Sequence, residues 1–315
     1  MLRHLLRTSD LTARDLERVL ALASEFKAAP YRARERLRNE TVVLYFNKPS
    51  TRTRISFETA VARLGGTPIG VGPSDLQLGR GETIEDTARV LDRYARAFVI
   101  RTYAHADVLR FAAAATIPVV NALTDAHHPC QSLADLLTLR EKMGALAGRK
   151  LAYVGAGNNV THSLLEAAAL AGLRISVATP PEYAPDPAIV SRARELAAAT
   201  GAKLEIGVDP RAAVRDADAV YTDAWLSMGD PESERAQRLA RLGPFQVDAR
   251  LMSLARPDAI FMHCLPDHRG EEVSAEVVDG PRSVVFDQAE NRLHTAVAVL
   301  SALLDGVLEG SACAS

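Results

Sequence analysis

The sequence predicts an α/β fold of two doubly wound domains, each with a central parallel sheet flanked by helices. Short apolar runs alternate with longer helical patterns along the whole chain, which is typical of parallel strands joined by crossover helices. The length of 315 residues corresponds to about two domains at roughly 150 residues each. The segment 144–149, which contains Gly144 and Gly148, separates two series of strands, so we assign 1–145 to the first domain and 146–287 to the second.

Four strands are predicted in the first series, each a short apolar run. They are Val42–Phe46, a segment around Ile69, Phe98–Thr102 and Pro118–Leu123. Helical patterns follow at Ile55–Leu64, about Thr83–Tyr94 and about Ser132–Met143. This order suits parallel strands, because a parallel connection has to cross back over the sheet.

The second series contains five predicted strands separated by helices. They are Leu151–Gly155, Arg174–Thr179, Lys203–Gly207, Ala219–Asp223 and Ala259–Leu265. A closing helix begins at Gln288 and carries Ala296, Val299, Leu300, Leu303 and Leu304 on one face. That apolar face needs a partner, and we expect the segment of about 288–310 to pack back on the first domain.

The charge balance excludes several classes of partner. The chain has 37 Lys and Arg against 39 Asp and Glu, a formal net charge of −2, so no global basic field attracts nucleic acid or an anionic membrane. The longest apolar candidate, Phe111–Thr124, is interrupted by Pro118 and is shorter than the roughly 18 residues of a membrane span. The first residues offer no apolar run long enough for a secretion signal. A cytoplasmic protein is expected.

The three cysteines, Cys130, Cys264 and Cys313, are too few and too scattered for a disulfide framework or a zinc cluster. No metal is therefore expected.

A phosphate-binding segment is predicted directly after the first strand. The run Ser50–Arg54 enters a helix and supplies three hydroxyls and two guanidiniums. The first N–H groups of a helix are unpaired and attract anions, and Ser50 or Thr51 suits the N-cap position. A capped surface helix with solvated arginines is the alternative, but so many adjacent donors at a strand-to-helix junction favour an anion site.

Two further strand ends carry donors. Arg101 ends the third strand, and the segment His127–Gln131 follows the fourth. Its two histidines and one cysteine match no common zinc spacing, so His128 and Gln131 are better interpreted as hydrogen-bond donors to a polar ligand. A structural role remains open for each of these side chains, and we expect one for His127.

The segment Gly155–Val160 has the first two glycines of a dinucleotide fingerprint, but the third is absent. No acid ends the next strand, where Thr179 and Pro180 stand, so nicotinamide binding is disfavoured. The chain also contains no GxxxxGK[ST] loop of a nucleoside triphosphatase. A glycine turn presenting two asparagine amides remains.

The next two strand ends suggest a site for an amine. Asp223 is an anion placed to receive an ammonium group, and Ser227 and Met228 lie in a loop able to close over a ligand. A loop anchored by Trp225 is the structural alternative. Cys264 ends a buried strand, where a cysteine is more often a packed small hydrophobe than a reactive group.

Together these segments resemble the aspartate/ornithine carbamoyltransferase family, and within it the enzymes that act on ornithine. The matching segments lie in the family's order along nearly the whole chain, at 50–54, 76–79, 128–131, 223 with 227–229, 263–266 and 287–292. Two departures lie on the ornithine side: Ala156 stands where the family commonly has Asp, and Ala224 where it has Val or Thr. We expect Ala156 to affect support of the loop rather than substrate contact.

The resemblance implies a first domain that binds carbamoyl phosphate, a second that binds ornithine, and an active site in the cleft between them. It implies carbamoyl-phosphate contacts from Ser50, Thr51, Arg52, Thr53, Gln77, Arg101, His128, Gln131, Cys264, Leu265 and Arg292. It implies ornithine contacts from Asn159, Asp223, Ser227 and Met228. The catalytic residues would be Cys264, Arg101, His128 and Asp223. Gln77 would reach the site of a neighbouring subunit, which implies a homotrimer or a multiple of trimers.

The implied reaction transfers the carbamoyl group of carbamoyl phosphate to the δ-amine of L-ornithine, giving L-citrulline and phosphate. This is the carbamoyl transfer of arginine biosynthesis and of the urea cycle, and it needs no cofactor. The sequence leaves the direction of flux open. Putrescine, lysine or aspartate remain alternative acceptors, although the Asp223 loop suits ornithine best. A sensor that binds the phosphorylated metabolite without turnover would have no need to keep Arg101, Asp223 and Cys264 together.

Overall fold

The strands form two separate parallel sheets, one of four strands and one of five. The structure is a computed structural model that describes residues 1–226 and 232–311. Helices flank both sheets, so the predicted α/β class is confirmed. The chain divides into two compact units: the first contains Met1–Leu137 and the chain from Glu290 onward, and the second contains Thr138–Ala289.

The first part of the chain alternates helices and strands up to the middle of the sequence. Its elements are α1 (Ala13–Ala28), β1 (Thr41–Phe46), α2 (Thr51–Arg63), β2 (Thr67–Val71), α3 (Ile84–Leu91), β3 (Ala97–Arg101), α4 (His105–Ala114), β4 (Val119–Leu123) and α5 (Pro129–Met143). Each of the four strands overlaps a predicted one.

The remainder has the same alternation and ends in a long helix. Its elements are β5 (Lys150–Val154), α6 (Asn159–Ala171), β6 (Arg174–Ala178), α7 (Pro187–Thr200), β7 (Lys203–Gly207), α8 (Pro210–Val214), β8 (Ala219–Thr222), α9 (Arg235–Leu242), α10 (Ala249–Met252), β9 (Ile260–His263), α11 (Ala275–Val278) and α12 (Val285–Leu304). Among the described residues, no helix is both long enough and apolar enough to cross a membrane.

The first sheet has the strand order β2-β1-β3-β4, and all its pairs are parallel. The central strand β3 is buried along its whole length, whereas β2 at one edge is largely exposed. Leu5 forms a bridge with Val120 and so covers the opposite edge. The order reverses between β1 and β3, and ligands of open parallel sheets bind at such a switch point, beyond the carboxyl ends of the strands.

The second sheet has the order β7-β6-β5-β8-β9, again parallel throughout. Its central strand β5 is buried along its length, and β7 at the edge alternates between exposed and half-buried residues. Here the order reverses between β5 and β8. Buried aromatic residues fill both cores, including Phe98 stacked on Phe111 in the first unit and Tyr153 against Tyr221 in the second.

Candidate active site

Helix α2 presents its first turn at the switch point of the first sheet. Ser50 has extended backbone and its hydroxyl accepts a hydrogen bond from the Thr53 amide at 3.2 Å, so Ser50 is the N-cap. Thr51, Arg52 and Thr53 then form the first turn, where N–H groups have no partner within the helix. The helix therefore begins four residues before the predicted Ile55, and the Ser50–Arg54 segment opens it.

Arg101 lies directly across the switch point from this helix. It pairs in register with Phe46, and its carbonyl accepts the Asn47 amide at 2.8 Å, which ties the ends of β1 and β3 together. Arg101 is buried. A buried guanidinium thus stands beside the strand end that leads into Ser50.

Three predicted side chains meet in one buried network. Arg292 donates to Gln131 Oε1 at 2.6 Å through Nη1 and to Thr53 Oγ1 at 3.1 Å through Nη2. Gln131 in turn donates from Nε2 to Asp135 Oδ1 at 2.8 Å. These contacts join helices α2, α5 and α12.

His128 lies directly before α5 and is buried. Burial sets the pKa of His128 well below its usual value, and the charges of Arg292, Arg101 and Arg52 lower it further. The imidazole is therefore neutral at physiological pH. It has one N–H to donate and adds no charge to a site that already holds three guanidiniums.

Cys130 has a structural role at this site. Its thiol donates to the Asn121 carbonyl at 3.4 Å, and burial raises its pKa to about 12. Gln77 begins a short 3₁₀ helix and is exposed. Its role toward a neighbouring subunit stays a prediction.

The switch point of the second sheet joins two predicted segments. Asn158 caps α6, where its Oδ1 accepts the amides of Val160 and Thr161 at 3.0 and 3.1 Å. Its Nδ2 donates to Asp223 Oδ2 at 2.7 Å. Asn159 is the first residue of α6 and is half-buried. The two asparagines thus differ: Asn158 is engaged within the protein, and Asn159 borders the same turn.

Cys264 also contacts Asp223. Its thiol lies 2.9 Å from Asp223 Oδ1, which additionally accepts the Ala224 amide at 2.8 Å. Leu265 follows with a φ of +58°, which is uncommon for a branched residue, and its amide donates to His263 Nδ1 at 2.9 Å. The structure therefore brings Asp223, Cys264 and Leu265 together, and Cys264 is half-buried rather than enclosed in the core.

Ser227 and Met228 lie outside the described residues. The loop before them is anchored by Trp225, which is buried against Ala156 and Leu242. The carbonyl of Ala156 accepts the hydroxyls of Tyr153 and Thr161 at 2.8 and 3.0 Å.

Packing explains Gly157, the second glycine of the turn after β5. A Cβ on Gly157 would lie 2.4 Å from the Pro185 nitrogen and 2.7 Å from the Tyr183 carbonyl oxygen. The Gly157 amide donates to that same carbonyl at 2.7 Å. The close approach that a dinucleotide fingerprint reserves for a pyrophosphate is occupied here by the protein backbone.

Three buried or capping residues were not predicted as part of the site. Asp135 holds Gln131, and Asn158 holds Asp223. Lys48 is buried, with its ammonium 4.1 Å from the ring centroid of Tyr103. The four-residue spacing of Gln131 and Asp135 on one helix was a usable signal, as was the helix-capping position of Asn158.

A group of side chains suited to a cation lies elsewhere in the second unit. Possible ligand atoms of His268, Glu271 and Glu272 lie within 4.8 Å of one another. Glu271 pairs with Arg235, and Glu272 accepts the His268 amide at 2.5 Å and lies 3.4 Å from His263 Nε2. Since both carboxylates have protein partners, we interpret this cluster as structural.

Comparison with known families matches both parts of the chain. The model for "Aspartate/ornithine carbamoyltransferase, carbamoyl-P binding domain" matches residues 3–141. The model for the "Asp/Orn binding domain" of the same family matches residues 147–303.

Individual relatives match over nearly their full length. The chain is 55% identical over 305 residues to the ornithine carbamoyltransferase of Acidothermus cellulolyticus, which covers 97% of each protein. It is 49% identical over 310 residues to a protein of Pyrococcus furiosus named "Ornithine carbamoyltransferase, anabolic", again with 97% coverage of each. A solved structure of ornithine carbamoyltransferase from Pyrococcus furiosus superposes with a TM-score of 0.92 at 50% identity, covering 98% of both chains. The chain belongs to the aspartate/ornithine carbamoyltransferase family.

Proposed function

We propose that this protein transfers the carbamoyl group of carbamoyl phosphate to the δ-amine of L-ornithine, forming L-citrulline and phosphate. The observation that carries the proposal is the buried link from Arg292 to Gln131 and Thr53, next to a neutral His128. Such a cluster of preset donors suits a small dianion that carries a carbonyl group. The names of the relatives supply the acceptor.

The phosphate of carbamoyl phosphate is assigned to the first turn of α2. The backbone N–H groups that follow Ser50 carry positive partial charge. The hydroxyls of Thr51 and Thr53 and the guanidinium of Arg52 provide further donors beside them. The same groups receive phosphate as the leaving group. Because they are already ordered by the cap and by Arg292, little reorganisation is needed as charge moves onto the phosphate oxygens.

The carbonyl oxygen of carbamoyl phosphate is assigned to Thr53, Arg101 and His128. Negative charge grows on this oxygen when the amine attacks the carbonyl carbon, so fixed donors stabilise the transition state more than the substrate. A neutral His128 donates one hydrogen bond without adding another cation near the attacking amine.

Ornithine is assigned to Asp223 and Asn159, with Ser227 and Met228 from the adjoining loop. The carboxylate of Asp223 suits the α-ammonium group. The δ-amine has an ordinary pKa of about 10.4 and must lose a proton before it attacks, and desolvation beside cations favours that loss. The new C–N bond then forms, the C–O bond to phosphate breaks, and the amine's second proton leaves with phosphate or solvent. Cys264 and Leu265 are assigned positions near the reacting nitrogen.

The test is phosphate release from carbamoyl phosphate with ornithine, lysine, putrescine or aspartate, with the ureido product identified for each amine. We expect citrulline from ornithine at a rate far above that of the other products. Turnover with another amine alone would reject the assignment of Asp223. Carbamoyl-phosphate binding without turnover of any amine would make the protein a sensor.

Three further properties stay predictions. A role in arginine biosynthesis agrees with the name of the Pyrococcus furiosus relative, which is called anabolic, and the direction of flux stays open. The resemblance also predicts a cytoplasmic homotrimer, for which light scattering would give three times the chain mass of 33.9 kDa.

A further inference from the structure

Asn158 uses both ends of its side-chain amide, and each end has a different task. The oxygen caps α6 by accepting two backbone amides, from Val160 and Thr161. The nitrogen donates to Asp223 Oδ2 at 2.7 Å. Since the oxygen is engaged by N–H groups, the amide can present only its NH₂ group to Asp223.

This contact spans the switch point of the second sheet. Asn158 follows β5 and Asp223 follows β8. These strands are adjacent and parallel, and the next strand along the chain lies toward one edge of the sheet for β5 (β6) and toward the other edge for β8 (β9). The hydrogen bond therefore connects the two sides of the crevice at which parallel sheets bind ligands.

The turn that carries Asn158 is itself held in place. The backbone N–H of Gly157 donates to the Tyr183 carbonyl at 2.7 Å, and the backbone N–H of Asn158 donates to the Ala156 carbonyl at 3.1 Å. Asn158 is thus a donor held on an ordered turn, and its hydrogen bond restricts the orientation of the Asp223 carboxylate.

The other oxygen of Asp223 is also occupied. Oδ1 lies 2.9 Å from the Cys264 thiol and accepts the Ala224 amide at 2.8 Å. Donors on both oxygens fix the plane of the carboxylate, and Oδ2 has a second lone pair that can accept a substrate N–H.

We propose that Asn158 is a positioning residue that orients the Asp223 carboxylate for the α-ammonium group of the amine substrate. This inference rests on the proposed function, which assigns that ammonium group to Asp223. Asn158 need not touch the substrate. A neutral donor is required here, because it fixes the carboxylate while leaving the negative charge for the ligand.

Substitutions can separate capping from positioning. Serine and aspartate both cap helices about as well as asparagine, but serine is too short to reach Asp223 and aspartate has no N–H to donate. Asn158→Ser therefore tests the positioning role with the cap retained. Asp186→Ser is the matched control, since Asp186 caps the neighbouring helix α7 by accepting the Ala188 amide.

The binding probe is L-norvaline, which keeps both α-groups of ornithine and lacks the δ-amine. Calorimetry on protein loaded with carbamoyl phosphate should give a Kd for norvaline raised roughly ten- to hundredfold in Asn158→Ser, the usual effect of a charge-assisted hydrogen bond. The KM for ornithine should rise in parallel. The Kd of carbamoyl phosphate and the thermal midpoint should match those of Asp186→Ser and of the unmodified protein.

Asn158→Asp gives a second test, the pH dependence of norvaline affinity, which a role in capping alone would not change. It sets two carboxylates face to face, and such a pair binds one shared proton with a raised pKa. That proton restores a donor toward Asp223, so norvaline affinity relative to the unmodified protein should recover as the pH falls from 8 to 6. Asp186→Ser should show no such recovery.

The proposal is overturned if Asn158→Ser binds norvaline like the unmodified protein. It is also overturned if carbamoyl phosphate and norvaline lose affinity equally, since that result would indicate a general loss of folding. Failure of the proposed function would be seen separately, as an unmodified protein that makes no citrulline.

Discussion

Gln131 and Asp135 lie one turn apart on α5 and are joined by a hydrogen bond of 2.8 Å from Gln131 Nε2 to Asp135 Oδ1. This bond turns the amide oxygen of Gln131 toward Arg292, which donates to it at 2.6 Å. A buried carboxylate thus sets the orientation of an amide, and the amide orients a guanidinium.

Asp135→Leu should lower the free energy of unfolding by about 1–3 kcal/mol, because it leaves the buried Gln131 amide without its acceptor. The Kd of carbamoyl phosphate should also rise, since the amide is then able to turn away from Arg292. Asp135→Asn is the matched control: its Oδ1 can still accept from Gln131, so most of the stability and affinity should remain. Urea unfolding and calorimetry measure both effects, and equal losses in the two variants would contradict the role of the hydrogen bond.

Arg292→Lys should weaken carbamoyl-phosphate binding roughly ten- to hundredfold, although the charge is conserved. One ammonium group lacks the fork with which Arg292 reaches Gln131 and Thr53 at the same time. Arg36→Lys is a suitable control in the same unit, because Arg36 forms a partly exposed pair with Asp305. Similar affinities in both variants would reject the bridging role of Arg292.

Thiol reagents should distinguish the two described cysteines. Burial raises the pKa of Cys130 to about 12, so only about one thiol in ten thousand is ionised at pH 8. In a Cys313→Ser background, iodoacetamide should therefore modify the half-buried Cys264 and leave Cys130 intact until the protein unfolds. Mass spectrometry locates the label. Carbamoyl phosphate with norvaline should slow the labelling of Cys264, and undiminished labelling would argue against its place at the site.

Much of the fold was predictable because the spacing of hydrophobic residues and the turn residues determine local structure directly. All the described strands overlap predicted ones, since β-rich runs such as Val42–Phe46 are short and sharply bounded. Helix boundaries were less accurate: α2 begins at Thr51 because Ser50 supplies its cap. Helix α1 lies outside the predicted elements, although Thr12 and Asp15 form a capping box at its start.

The sequence predicted which residues belong to the candidate site, but only some of the contacts between their side chains. Polar residues after buried strands indicate a ligand site, and Thr53, Gln131 and Arg292 do meet. The bond between Asn158 and Asp223 joins residues 65 positions apart. It depends on β8 lying beside β5, and the order of strands in space does not follow from their order in sequence.

The last prediction concerns acid stability and depends on His4. Its Nδ1 accepts the Val119 amide at 3.1 Å, and burial, with a smaller contribution from Arg3, lowers the pKa of His4 to about 4. In the unfolded chain the pKa is about 6.5, so between these values the unfolded state binds more protons. The stabilisation is complete above about pH 6.5 and is lost as the pH falls toward 4. His4→Asn retains an oxygen acceptor and does not titrate, so its unfolding free energy should fall less steeply over this range. Urea unfolding of both proteins from pH 7.5 to 4.5 gives the difference, which cancels the carboxylates and the other histidines common to both. Parallel curves would show that His4 binds protons equally in the folded and unfolded states, which would contradict a lowered pKa in the folded protein.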